Sequence, residues 1–90
     1  MSADAMRIDL WLWHARFFRT RSMAARAVKS TRFRLNRELV KKTSRSVRAG
    51  DVLTFPRGDE IVVVEVIGFA ERRGGASEAR TLYRLLQVSD

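Results

Sequence analysis

Residues 19–34 read RTRSMAARAVKSTRFR, and the spacing of apolar side chains changes part-way through them. Met23, Ala24, Ala27 and Val28 recur three and four apart, which gives a helix with a thin apolar face. From Arg32 the interval becomes two. Phe33 and Leu35 alternate with Arg32 and Arg34, as in a strand with one face turned inward. A helix that gives way to a strand within so short a chain predicts a small α+β domain. The same stretch holds six cationic side chains and no acidic one. Charges of one sign repel one another at that density, so the stretch implies an anionic partner.

Working outward, residues 9–18 (DLWLWHARFF) predict the first helix. Ile8, Trp11, Leu12, Ala15 and Phe18 form one apolar stripe, and Leu10, Trp13 and Phe17 a second, so much of this helix is expected to be buried. Asp9 stands where an N-cap belongs, with Ile8 and Trp13 as a hydrophobic staple. Trp11 and Trp13 read as core. Ser22 is the expected cap of the second helix, which runs to about Lys29, and its alanines let it lie close to the first. Asn36-Arg37 reads as a turn, because Asn tolerates positive φ, and Leu39-Val40 begin the return strand. Residues 41–48 (KKTSRSVR) read as irregular. Asp51–Phe55 and Ile61–Phe69 predict a hairpin across PRGDE, and ERRGG is a connector. Ser77 then caps a last helix with Ala79, Leu82, Leu85 and Leu86 on its apolar face. The expected fold is a single α+β domain in which two N-terminal helices pack on a short antiparallel sheet, followed by a C-terminal helix. Residues 1–5 are expected to be disordered.

The totals narrow the function. Ninety residues support one modest core. There is no cysteine, which excludes a disulfide framework and a thiolate metal site and suits the cytoplasm. MSADAM has no apolar signal segment, and the longest aliphatic run, residues 61–64, is far too short to span a bilayer. Residues 1–50 hold 13 Lys/Arg against 3 Asp/Glu, a net of +10, whereas residues 51–90 carry −2. The excess therefore belongs to one half and is not a general solubility device. His14 is the single histidine and reads as structural. Without a nucleophile–base pair, a glycine-rich phosphate loop or clustered ligands, neither an enzyme nor a metal or cofactor is expected. A monomer is expected because the apolar stripes are all used in the core.

Collected by expected position, Arg16 lies on the first helix and Arg19 and Arg21 lie in the turn. Arg26 and Lys29 lie on the second helix, and Arg32 and Arg34 on the next strand. All face one side if the helices pack on the sheet as an antiparallel pair. Guanidinium groups donate paired hydrogen bonds to phosphates, and the hydroxyls of Thr20 and Ser22 add donors.

The order of these pieces carries a resemblance. Arg7-Ile8-Asp9, then RTRS, then a hairpin through Asn36, then VRAGDVL at residues 47–53, resemble the RNA-binding domain family named after ribosomal protein S4. The likeness covers residues 6–55, with residues 56–90 continuing the same domain. RIDLWLWHARFFRTRS together with ERRGGASEARTLY is similar to the bacterial ribosome-associated heat-shock protein 15 group. The resemblance implies a helix-and-hairpin surface that grips structured RNA. It also implies a large-ribosomal-subunit partner still carrying a nascent chain on tRNA, and a role in rescue or recycling of such subunits. Carried over by position, Arg7, Arg16, Thr20, Arg21, Ser22 and Asn36 fall on the pattern. Charge and expected face add Arg19, Arg26, Lys29, Arg32, Arg34, Lys41 and Lys42. Ser30-Thr31 and Arg37 stand where the family commonly has glycine. The alternative is a DNA-binding or nonspecific nucleic-acid-binding protein whose first two helices form a helix-turn-helix-like pair, although the second helix offers few side chains suited to base edges.

Overall fold

The first helix begins one residue and ends four residues earlier than the predicted span 9–18. In the computed structural model, which describes residues 5–30 and 32–89, α1 spans Ile8–His14. Its first free amides are taken by backbone: Ile8 N–H donates to Arg45 O (2.8 Å) and Asp9 N–H to Thr43 O (3.4 Å). Asp9 is thus within the first turn, and Arg7 holds the N-cap position without a side-chain cap. At the other end Phe17 N–H donates to Leu12 O and Arg16 N–H to Trp13 O, with Arg16 at φ 64. These two bonds close a Schellman motif with arginine in the left-handed position usually held by glycine. The chain therefore turns at residue 16, and Phe17 and Phe18 leave the helix.

The second helix, α2, spans Arg21–Ser30, and its cap is Thr20, whose Oγ1 accepts the Met23 N–H at 3.1 Å. Ser22 is not the cap; it is exposed in the first turn. Ala24 and Val28 are buried against α1, with Ala27 packed beside them. The small alanine side chains permit that approach.

Five strands form the main antiparallel sheet in the order β3-β2-β5-β6-β7. They are β2 (Arg34–Leu35), β3 (Glu38–Leu39), β5 (Val52–Arg57), β6 (Glu60–Val66) and β7 (Tyr83–Ser89). The α+β class, and the two helices packed on an antiparallel sheet, agree with the sequence. Leu35, Leu53, Phe55, Val62, Val64 and Val66 line its inner face and join Ile8, Trp11, Leu12, Ala24 and Val28 in one core. Trp11 is fully buried, and its indole N–H donates to Gly68 O at 2.9 Å, so the polar atom is satisfied. Phe33 stacks on Phe55 with ring centroids 4.8 Å apart.

Two elements depart from expectation. Residues 46–48 are not irregular: β4 (Ser46–Arg48) pairs with β1 (Ala5–Arg7) in a separate two-stranded sheet. Ala5, expected in a disordered tail, is paired with Arg48, and residues 1–4 lie outside the described residues. The C-terminal helix is a single turn, α3 (Ala76–Ala79), with Gly75 rather than Ser77 at its N-cap, followed by a 3-10 turn at Arg80–Leu82. Tyr83 then becomes extended and β7 pairs along β6. The long edge of β6 would otherwise leave its amides and carbonyls unpaired. Leu85 and Val88 face the same side as the buried Val64 and Val62 that they pair with, yet they remain 53% and 43% exposed. An apolar strip is therefore left over at this edge, contrary to the premise of the expected monomer.

Candidate nucleic-acid interface

The site begins with one buried carboxylate. Asp9 is 3% exposed, and its oxygens accept the Leu10 N–H at 2.8 Å and both Nε and Nη2 of Arg7 at 3.1 and 3.0 Å. Arg21 Nε approaches the same carboxylate at 3.9 Å. Asp9 thus holds two arginines, one from β1 and one from the first turn of α2, next to each other on the surface. Nearly half of each arginine side chain is exposed (47% and 45%). Three full charges meet with a net of +1, at the positive end of the α2 dipole.

From there α2 presents Ser22, Arg26 and Lys29 on its exposed face, opposite Ala24 and Val28. Their intervals of four and three put them in one stripe. The loop after β3 carries exposed Lys41 and Lys42 and then brings Thr43 to the same corner. Thr43 Oγ1 accepts from Arg7 Nη2 at 3.5 Å, and its carbonyl accepts from Asp9 N–H. Arg7, Arg21 and Thr43 therefore meet at one corner around Asp9, with Ser22, Arg26 and Lys29 following along α2 and exposed Lys41 and Lys42 preceding Thr43 in the loop.

The remaining predicted residues go elsewhere. Arg16 is not on a helix; it occupies the αL turn and donates Nε to Gly74 O at 2.8 Å. Arg19 is exposed in the turn before α2, and Thr20 is committed to capping. Arg34 pairs with Thr54 on the face of the sheet away from the helices, and Arg32 lines the same shallow hollow there. The alternation that buries Phe33 and Leu35 forces this, so the arginines do not all face one side. Asn36 is spent internally: Oδ1 accepts Val52 N–H at 3.0 Å and Nδ2 donates to Asp51 Oδ1 at 3.3 Å. Asp51 Oδ2 also accepts Arg48 N–H at 2.8 Å, while Gly50 takes φ 94. In VRAGDVL the glycine supplies a conformation costly for other residues and the aspartate ties the loop to the β2–β3 turn. Asn36 has φ 60 and Arg37 does not, so arginine is accommodated in this turn.

Sequence reading missed Asp9 as an organiser, because both of its arginines also read as free phosphate ligands. It also missed Arg57 and Arg73, which stand over the rings of Phe17 and Trp13 at 5.8 and 5.6 Å. Among the described residues, buried His14 has no partner for Nδ1. Burial holds its pKa below the ordinary 6.5, helped by nearby Arg21 and Arg73 and opposed by a hydrogen bond with the Ala70 backbone. Among the described residues no three His, Asp or Glu side chains gather as metal ligands, and no helix is long and apolar enough to cross a membrane.

Both the sequence and the fold match known proteins. Residues 6–53 match the S4 domain. The chain is 36% identical over 89 residues to the heat shock protein 15 homolog of Haemophilus influenzae, covering 99% of this chain and 67% of the relative. It is 36% identical over 81 residues to heat shock protein 15 of Escherichia coli K12, covering 90% and 60%. The chain thus spans about 60–67% of the length of these curated relatives. A trimeric structure of Vibrio cholerae heat shock protein 15 superposes with a TM-score of 0.84 at 35% identity, covering 91% of this chain and 82% of that one. The S4 match and these similarities over most of the chain place it in a family: the chain carries an S4 RNA-binding domain and belongs with the heat shock protein 15 homologues.

Proposed function

We propose that this protein is a non-catalytic RNA-binding factor that acts on the large ribosomal subunit in the cytoplasm and helps rescue or recycle obstructed subunits. The observation that carries this reading is the Asp9-held pair Arg7 and Arg21, aligned with the Ser22, Arg26 and Lys29 stripe and flanked by Lys41 and Lys42. Such an array favours closely spaced phosphates, as in folded rRNA or in tRNA still carrying a nascent chain. Cosedimentation with separated large and small subunits at two salt concentrations tests it. Retention on large subunits is expected, with loss for Arg21→Ala in a variant that still folds. Equal association with both subunits, or unchanged retention of Arg21→Ala, contradicts the reading. Structured RNA is expected to compete far better than duplex DNA, which separates this function from a helix-turn-helix one.

The trimeric form of the Vibrio cholerae relative, together with exposed Leu85 and Val88 on β7, supports self-association over a monomer.

A further inference from the structure

Beyond the stretch that matches the S4 domain, Arg57 and Arg73 meet the α1–α2 turn across an open hollow of about 740 Å³. Arg16 and Arg19 complete a rim of four guanidinium groups, and Phe17, Phe18 and Met23 supply its apolar lining. Among the described residues, no carboxylate lines it. Among the described residues, the ion pairs engage Arg7, Arg21, Arg45 and Arg84 and none of these four.

Three of the four guanidiniums are held in place. Arg16 Nε donates to Gly74 O at 2.8 Å and Arg73 Nε to Trp13 O at 3.0 Å. Arg73 also stands over the Trp13 ring, and Arg57 over Phe17. In Arg16 and Arg73 only Nε is used, so their terminal amino groups remain available to a ligand. Phe17 is 8% exposed and serves the core, which leaves half-buried Phe18 and the 44%-exposed Met23 as the accessible floor.

We infer that this hollow receives an unpaired nucleotide of the bound RNA, its phosphate among the arginines and its base against Phe18 and Met23. This rests on the RNA-binding reading above. A volume of this order suits a small organic group and is larger than a phosphate alone requires. An apolar floor has nothing to gain from a duplex backbone, whose base faces are hidden by stacking. An unpaired base offers a π-face to aromatic and sulfur-containing side chains. Arg19 lies directly before the Thr20 cap of α2, so the hollow adjoins the N-terminal end of the α2 stripe.

The test compares a blunt RNA duplex with the same duplex extended by a short 3′ single strand, and with an extension of abasic sugars. Wild-type protein is expected to bind the extended RNA about tenfold more tightly than the blunt one, and the abasic extension is expected to lose most of that gain. Arg57→Gln and Met23→Ala are each expected to lose most of the gain while leaving affinity for the blunt duplex within about twofold. Equal wild-type affinity for blunt, extended and abasic RNAs overturns the nucleotide site. So does an equal loss on all three in the variants, which would mean that only general charge was removed. Failure of the wild type to bind any of them defeats the RNA-binding reading itself. The abasic comparison is made on unaltered protein, so the result stands even if a variant misfolds.

Discussion

Asp9 is a carboxylate in a region that is otherwise uniformly cationic, and its removal separates two accounts of the surface. If net charge alone governed binding, Asp9→Ala would strengthen RNA affinity. If Asp9 positions Arg7 and Arg21, the same change weakens it several-fold and lowers stability by about 1–3 kcal/mol. Titration of RNA into the variant, beside its denaturant curve, decides between them. His14 gives a second prediction at this scale. Its folded pKa lies below 6.5, so the unfolded chain binds a proton that the native state resists. Its contribution is intact above about pH 6.5 and is lost as pH falls from there toward the lower folded value. Thermal unfolding across this range should show that slope, and His14→Leu should flatten it. The sequence made Trp11 legible as core, because an aromatic at helical spacing has few other uses. It could not reveal Asp9's role, since that depends on Arg21 being brought back across the α1–α2 turn.

Among the elements, ends were harder to read than middles. Ser22 and Thr20 are both good caps by type, and only the geometry of the Arg16 turn selects Thr20. Thr20→Ala is therefore expected to cost about 1 kcal/mol of stability, and Ser22→Ala much less, as measured by urea unfolding. The C-terminal segment shows the same ambiguity at larger size. Leu82, Leu85 and Leu86 fit a helical stripe, but Tyr83, Leu85 and Val88 also fit a strand once a bulge near Val63 and Val64 is allowed. The free edge of β6 decides the matter, and no local pattern records that edge. The β1–β4 pairing was equally hidden, because strands of three residues have too little periodicity to detect.

Over the whole molecule, the sheet divides the candidate RNA-binding cations, because Arg32 and Arg34 lie on the face away from the helices. The α+β architecture and the basic N-terminal half could be read from sequence, while the division into two faces required the strand orientation. With about five phosphates neutralised on the helix side, log K against log salt is expected to fall with a slope of about −3 to −4. Arg34→Ala should leave that slope unchanged, whereas Arg26→Ala should make it shallower. Self-association is tested separately: sedimentation equilibrium is expected to show assemblies that Leu85→Glu with Val88→Glu returns to single chains. The bonds from Arg16 to Gly74 and from Arg73 to Trp13 have a further effect, because they stitch residues 73–74 to the end of α1. An anion settling between those two side chains, as the inferred nucleotide site requires, would tighten seams that the folded chain already uses. Occupancy and resistance to heat would then rise together, and the protein would be hardest to melt with a nucleic acid in place.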